Sequence, residues 1–218
     1  TLGQIIPLLS KIPKIATKAN PWYQNDFTNN IFGQLSKSGI ENQITTSLNN
    51  LKLDKVDIFY LHCPDHMTPI NETLEYCTDL YRKEKFNSFG LSNYSNEQVI
   101  EILSICEDKG YILPTYYQGM YNMICRKVED VFPTLRKNNI EFWAYNPLAG
   151  GLLTGKYKDT NFKENSRFKN NKIYQNIFMK EDIMKTVNEI NKNNNILETS
   201  LNWYKKDSKL SDNDGLII

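Results

Sequence analysis

Apolar residues along this chain follow two alternating periods. Short runs rich in β-branched and aromatic types read as strands: "KIATKA" (14–19), the stretch 56–62, "SFGLS" (88–92), "TYYQG" (115–119) and "IEFWAYN" (140–146). Between them the apolar residues fall three or four apart, as one face of a helix requires. The stripes are Ile40, Ile44, Leu48 and Leu51; Ile70, Leu74, Cys77 and Tyr81; and Val99, Ile102, Leu103 and Cys106. Thr68-Pro69 predicts the start of the second helix, with proline at the first helical position, where a missing N–H costs nothing. Ser95 and Gln98 predict a capping box for the third, and Gly110 its stop. Helices are also expected over 127–138, 180–192 and 196–206, with a final strand in "GLII". The stretch "PLAGGLLTGKY" reads as a glycine-bearing loop, and 158–178 as an irregular polar surface loop.

Strands separated by helices pair in parallel through right-handed crossovers. An open doubly wound sheet gathers its ligand at one switch point, whereas a barrel collects residues from many strand ends at one mouth. Lys18, His62, Ser92-Asn93, Gln118 and Tyr145 all stand at the C-terminal ends of separate strands, and no G-x-G-x-x-G follows a first strand. The expectation is therefore an α/β chain of (β/α)8 TIM-barrel type, one domain over residues 1–218. About six of the barrel's eight strands can be found. The barrel is expected to be incomplete, wanting strands before Thr1 and an end after Ile218.

A net charge of +1, with 40% hydrophobic and 23% charged residues, describes a globular chain without a field for nucleic acid or an anionic membrane. No apolar run is long enough to span a bilayer, and the four cysteines form no C-x-x-C or zinc spacing. A cytoplasmic setting is expected. Both histidines, His62 and His66, lie in "FYLHCPDH". Pro64 between them denies the helical turn that would let both face one metal, and further ligands are missing from the neighbourhood. Cys63 follows His62 on a strand, so the two side chains point to opposite faces and a thiol–imidazole pair is disfavoured. Taken alone, Lys18 reads better as a surface lysine past a strand, and His62 as a satisfied core histidine.

The stretches "KIATKANPW", "VDIFYLHCPDHMTP", "FGLSNY", "YYQGMYN" and "AYNPLAGGLLTGKY", in this order and spacing, resemble the aldo-keto reductases. The likeness is greatest to the aflatoxin-aldehyde/succinic-semialdehyde reductase branch. It implies NADPH as cofactor and reduction of an aldehyde or ketone by hydride transfer, with a tyrosine as the acid. By this resemblance Lys18 is the buried lysine that tunes the acid, and His62 the histidine that orients the carbonyl. Ser92, Asn93 and Gln118 would hold the nicotinamide carboxamide and Tyr145 would stack on the ring. Asn146, Pro147, Leu148, Gly150, Gly151, Leu152, Gly155 and Lys156 would wrap the pyrophosphate, with Arg167 as a further phosphate contact. His66 receives no role. The partner implied is a small carbonyl compound, not nucleic acid or membrane, with a homodimer left open.

The family's Asp and Tyr would precede Thr1, and its Gly-x-Ser-Ser signature would follow Ile218. Gln175 and Ile177 stand where the branch carries arginines. The expectation for this chain alone is a poor or inactive enzyme. A cofactor-binding regulatory module of the same fold, and a degenerate remnant, are the alternatives.

Overall fold

The computed structural model describes residues 1–9, 13–23, 32–157, 166–169, 171–193 and 195–218. A short helix, α1 (Leu2–Ile5), runs into a 3-10 turn at Ile6–Leu8 and is followed by β1 (Ala16–Ala19). Next come α2 (Lys37–Leu51), β2 (Val56–Leu61), α3 (Ile70–Arg82), β3 (Phe86–Ser92), α4 (Asn96–Lys109), β4 (Pro114–Met120), α5 (Phe132–Lys137) and β5 (Glu141–Tyr145). A second 3-10 stretch, Ala149–Thr154, leads to α6 (Lys172–Phe178), α7 (Glu181–Asn193), α8 (Ile196–Lys206) and β6 (Gly215–Leu216).

The six strands follow one another in sequence order, β1-β2-β3-β4-β5-β6. The pairs β1–β2, β2–β3, β3–β4 and β5–β6 are parallel. Sequential order is that of an incomplete (β/α)8 barrel. A doubly wound sheet would reverse its order at a switch point.

Register explains which side chains can meet. Lys18 pairs with Tyr60, Tyr60 with Gly90, and Gly90 with Tyr116; two residues on, Ser92 pairs with Gln118. Side chains two apart on a strand share a face, so Lys18, His62, Ser92 and Gln118 belong to one face. Gly90 is required there by its neighbour. A Cβ at this position would lie 2.4 Å from the Tyr60 ring.

Contacts group the chain into two compact units, residues 1–118 with 133–141, and residues 119–132 with 142–218. The first is cored by Phe59, Phe86 and Phe89, covered by the expected stripes of α2, α3 and α4. Tyr81, which spacing puts on the α3 stripe, is instead 41% exposed. The Ser95–Gln98 capping box forms, and α4 stops at Gly110 in the left-handed region. Pro69 is the N-cap of α3, so the helix starts at Ile70, one residue later than expected.

In the second unit, Ala149, Leu152, Leu153, Tyr157, Phe168, Phe178, Val187 and Ile196 form the core. The helix expected over 127–138 is split: its first part, Lys127–Val131, is a 3-10 turn and only α5 is α-helical. The irregular loop expected over 158–178 is also corrected. Residues 158–165 and 170 lie outside the described residues, but 172–178 is helix α6. Asn171 caps it by accepting from the Tyr174 N–H at 3.0 Å. Tyr174 and Phe178, one helical turn apart, both pack on Phe168. The polar composition of "KNNKIYQN" hid this short amphipathic turn.

Elsewhere in this unit Glu129 receives hydrogen bonds from Tyr121 Oη at 2.8 Å and Arg126 Nε at 2.6 Å, and pairs with Lys209 Nζ at 2.8 Å. Burial pushes the Glu129 carboxyl up, but the bonds from Arg126, Lys209 and Tyr121 outweigh it and hold it at about 2.

Candidate functional site

The first unit brings together Lys18, His62, Ser92, Asn93 and Gln118. Lys18 Nζ, half-buried, donates to Gln118 Oε1 across the sheet. It also stands 5.8 Å from the centre of the Tyr60 ring. Lys18 has no carboxylate partner among the described residues, and burial pushes its pKa down. The oxygen of Gln118 is thus occupied, and its Nε2 is the end left for a ligand acceptor.

Asn93 adopts φ 62°, a conformation asparagine tolerates better than most residues. That turn lets Asn93 Nδ2 donate to the His62 carbonyl at 2.9 Å and to Ser92 Oγ at 3.1 Å. Ser92 itself is buried, so its hydroxyl is fixed by this bond. Tyr94 closes the same turn from behind, donating to the Cys63 carbonyl at 3.3 Å and accepting at its own carbonyl from Tyr117 Oη at 2.5 Å.

His62 lies just past β2, its ring tilted against Trp22 with centroids 5.0 Å apart. Its Nδ1 is 2.5 Å from Asn20 Oδ1. Burial first, and the Lys18 charge second, hold its pKa down at about 4, so the imidazole is neutral at pH 7. Cys63 is pushed up to about 11 by burial and by Asp65, which keeps it a thiol. His66 is exposed, with its ring 6.1 Å from Phe32.

Asp65 between them does organising work. Its carboxylate accepts from the N–H groups of Gly33, Leu35 and Met67 and from Thr68 Oγ1, all at 2.9–3.0 Å. The "HCPDH" stretch therefore contributes one ring to the cluster and one loop-tying carboxylate. A recess of about 350 Å³ borders Lys18, Asn20, Trp22 and Gln43.

The second unit holds a cavity of about 590 Å³ lined by Tyr145, Asn146, Pro147, Leu148, Gly150, Gly151, Lys156 and Arg167, with Tyr174 among its other walls. Lys156 and Arg167 make its side-chain lining cationic, and no Asp or Glu lines it among the described residues. Gly150 (φ 67°) and Gly151 (φ 100°) break the 3-10 stretch in two. A Cβ at Gly150 would lie 2.8 Å from the Tyr174 ring, so glycine is needed there for space as well as for conformation.

Two expected wrapping residues do not reach this cavity. Leu152 is fully buried in the apolar core, and Gly155 packs against Asn191. Arg167 rides on a turn fixed by its neighbours. Phe168 is fully buried, and its carbonyl accepts from Gln175 Nε2 at 2.5 Å. Ser166 Oγ accepts from the N–H groups of Phe168 and Lys169. Gln175 thus holds this turn, and Ile177 packs on the core.

Three contributors were not singled out by sequence. Asn20 holds His62. Tyr174 accepts from Asn146 Nδ2 at 2.8 Å, and Asn122 Nδ2 donates to the Asn146 carbonyl at 3.0 Å. A signal existed for two of them, since Asn20 and Asn122 each follow a strand end closely, where asparagine often ties loops to backbone.

A cofactor with a carboxamide and a pyrophosphate is chemically matched by these donor sets. Ser92, Asn93 and Gln118 offer neutral directional groups, while Lys156 and Arg167 offer charge to phosphate. No helix among the described residues is long and apolar enough to cross a membrane.

Comparison with known proteins agrees with the resemblance. A model of the aldo/keto reductase family matches residues 11–213. Human aflatoxin B1 aldehyde reductase member 2 is 49% identical over 175 residues, covering 77% of this chain and 46% of the relative. Human aflatoxin B1 aldehyde reductase member 4 is equally identical over 77% of this chain and 50% of its own length. The chain thus spans about half the length of these curated relatives. Among solved structures, the glycerol dehydrogenase of Gluconobacter oxydans superposes with a TM-score of 0.73 at 23% identity, covering 98% of this chain and 66% of that one. At that identity the likeness concerns the fold alone. With nearly the whole chain matched by the family model, the protein belongs to the aldo/keto reductase family.

Proposed function

We propose that this chain is the cofactor- and carbonyl-handling part of an NADPH-dependent reductase of aldehydes and ketones, working in the cytoplasm. The observation that carries the reading is the convergence of Lys18, His62, Ser92, Asn93 and Gln118 at the ends of consecutive parallel strands. Ser92, Asn93 and Gln118 bind the nicotinamide carboxamide, and Tyr145 stacks on its ring. Asn146, Pro147, Leu148, Gly150 and Gly151 wrap the pyrophosphate, with Lys156 and Arg167 as its counter-charges. When bound, the dihydronicotinamide supplies the hydride for a carbonyl carbon. His62, neutral and held from behind by Asn20, hydrogen-bonds the substrate oxygen. Lys18 supplies the positive charge that lowers the cost of proton transfer to that oxygen. The relatives named as aflatoxin B1 aldehyde reductases support an aldehyde as substrate.

Among the described residues no tyrosine hydroxyl hydrogen-bonds to Lys18 or His62. The 218-residue chain alone is accordingly expected to turn over poorly, and binding is the sharper test. Titration with NADPH, followed by cofactor fluorescence, is expected to saturate in the micromolar range, and the Lys156→Glu, Arg167→Glu double variant to weaken it. The absence of saturable binding to the wild-type chain would overturn the proposal. Binding with no reduction of any aldehyde, even by a longer form carrying an acid, would favour a regulatory module of the same fold.

A further inference from the structure

The run from Asn146 to Gly151 carries four positive φ angles: Asn146 at 61°, Ala149 at 49°, Gly150 at 67° and Gly151 at 100°. Asn146 and Ala149 are not glycines, and such a backbone persists only where its surroundings over-determine it. Asn122 supplies part of that hold, with its side chain fully buried. Its Oδ1 accepts from the Ile124 N–H at 3.1 Å, and its Nδ2 donates to the Asn146 carbonyl at 3.0 Å. A backbone N–H can only donate and a backbone carbonyl only accept, so these partners assign both ends of the amide. The Asn122 backbone is pinned as well, donating to the Cys125 carbonyl at 3.2 Å and accepting from the Cys125 N–H at 3.0 Å. The Asn146 carbonyl receives a second hydrogen bond, from the Ala149 N–H at 2.9 Å. Asn146 lines the cavity of this unit, whereas Asn122 is not one of its walls.

We propose that Asn122 is a positioning residue for the phosphate end of the cofactor, holding the Asn146 carbonyl toward the protein interior so that this oxygen does not oppose a bound anion. This rests on the proposed function and deepens it, because Asn122 touches neither cofactor nor substrate. A peptide carbonyl is the negative end of its dipole, and turned toward a phosphate it would resist binding. Two donors, Asn122 Nδ2 and the Ala149 N–H, instead occupy the two lone pairs of that oxygen. Tyr174 holds the other end of the same residue, its hydroxyl accepting from Asn146 Nδ2 at 2.8 Å. Asn146 is thus fixed at its carbonyl and at its side chain together, which sets the direction in which the chain enters Gly150 and Gly151.

The test compares the full wild-type chain with Asn122→Ser, using inorganic pyrophosphate as the probe. A serine hydroxyl still accepts from the N–H two residues on, but it stands one bond short of Asn146. Pyrophosphate binding is expected to weaken about fivefold to tenfold, the contribution of one hydrogen bond. Unchanged affinity in the folded variant overturns the proposal and leaves the functional reading in place. A wild-type chain that binds no pyrophosphate overturns that reading and the proposal with it. Hydrogen exchange separates positioning from general loosening. The Ala149 amide, which shares the Asn146 carbonyl, is expected to exchange about tenfold faster in the variant while the amides of α7 and α8 keep their wild-type rates. Equal acceleration throughout the unit means a packing role and overturns the proposal. If the serine variant fails to fold, the wild-type chain decides. By linkage, pyrophosphate strengthens the bond from Asn122 to Asn146 as much as that bond strengthens binding. The side-chain amide protons of Asn122 are therefore expected to exchange more slowly with pyrophosphate present, and an unmoved rate overturns the proposal.

Discussion

The candidate residues of the two units show opposite electrostatics. In the first unit the ionisable groups are driven toward neutrality: His62 to about 4, Lys18 downward, Cys63 to about 11, each mainly by burial. Recognition there is left to amides and hydroxyls whose partners are fixed, as in the Asn93–Ser92–His62 turn. In the second unit Lys156 and Arg167 stay exposed beside an open cavity of about 590 Å³. Neutral directional groups suit a carboxamide and a carbonyl, while solvated cations suit a phosphate. The lesson is that the same family motif set contains two kinds of polar surroundings, and the binding proposed for each should respond differently to mutation, salt and pH.

The largest effect is expected at Lys18. In a form of the protein that reduces aldehydes, Lys18→Met should lower kcat by about 10²–10⁴-fold. The melting temperature should hold or rise, because a half-buried cation with no carboxylate partner among the described residues is removed. Steady-state kinetics with an unchanged kcat would break the assignment. Next is Gly150→Val, which forces a side chain into the Tyr174 ring at a positive φ. A cost of roughly 1–3 kcal/mol is expected, read as a lower melting temperature and about tenfold weaker NADPH binding; an equal affinity would detach the glycine from the cavity.

The charge pair should act through salt. Lys156→Glu with Arg167→Glu is expected to weaken NADPH by roughly tenfold at low ionic strength. The gap to wild type should narrow as salt rises, because screening removes what the cations supply. A gap independent of salt would mean that their role is packing. Substitution of Gln118 by Leu, by contrast, should weaken NADPH with no salt dependence.

The smallest effect concerns pH and stability. The folded His62 pKa is about 4, below its unfolded value near 6.5. The unfolded chain therefore binds the proton more readily, and this contribution to stability is complete above about pH 6.5. It is lost as pH falls through about 4. His62→Gln should flatten the melting-temperature profile in that window. In Lys18→Met the His62 pKa should rise, since one of its two depressing causes is gone.

Much of this was legible in the sequence because strand and helix periods are long-range patterns. The α2, α3 and α4 stripes, the Ser95–Gln98 box and the Gly110 stop depend on local rules that the fold did not override. The positions of Lys18, His62, Ser92 and Gln118 at strand ends were also readable, since strand polarity alone puts them at one edge. What was not readable depends on partners far away in sequence. Asn20 matters through His62, and Tyr174 through Asn146 and Gly150. Helix α6 was missed because its apolar residues, Ile173, Tyr174, Ile177 and Phe178, fill only two turns and are embedded in a lysine- and asparagine-rich stretch. Leu152 was assigned to the cofactor loop because its motif is continuous, yet the 3-10 stretch turns Ala149, Leu152 and Leu153 into the apolar core.

The contact of Gly90 with the Tyr60 ring, a would-be Cβ at 2.4 Å, couples the evolutionary fates of two strands. Neither position can drift by itself. Enlarging residue 90 before residue 60 shrinks is closed to the lineage, while shrinking residue 60 first removes the ring that faces Lys18. The pair therefore behaves as one inherited unit. A double change such as Gly90→Ala with Tyr60→Leu should survive where Gly90→Ala alone does not.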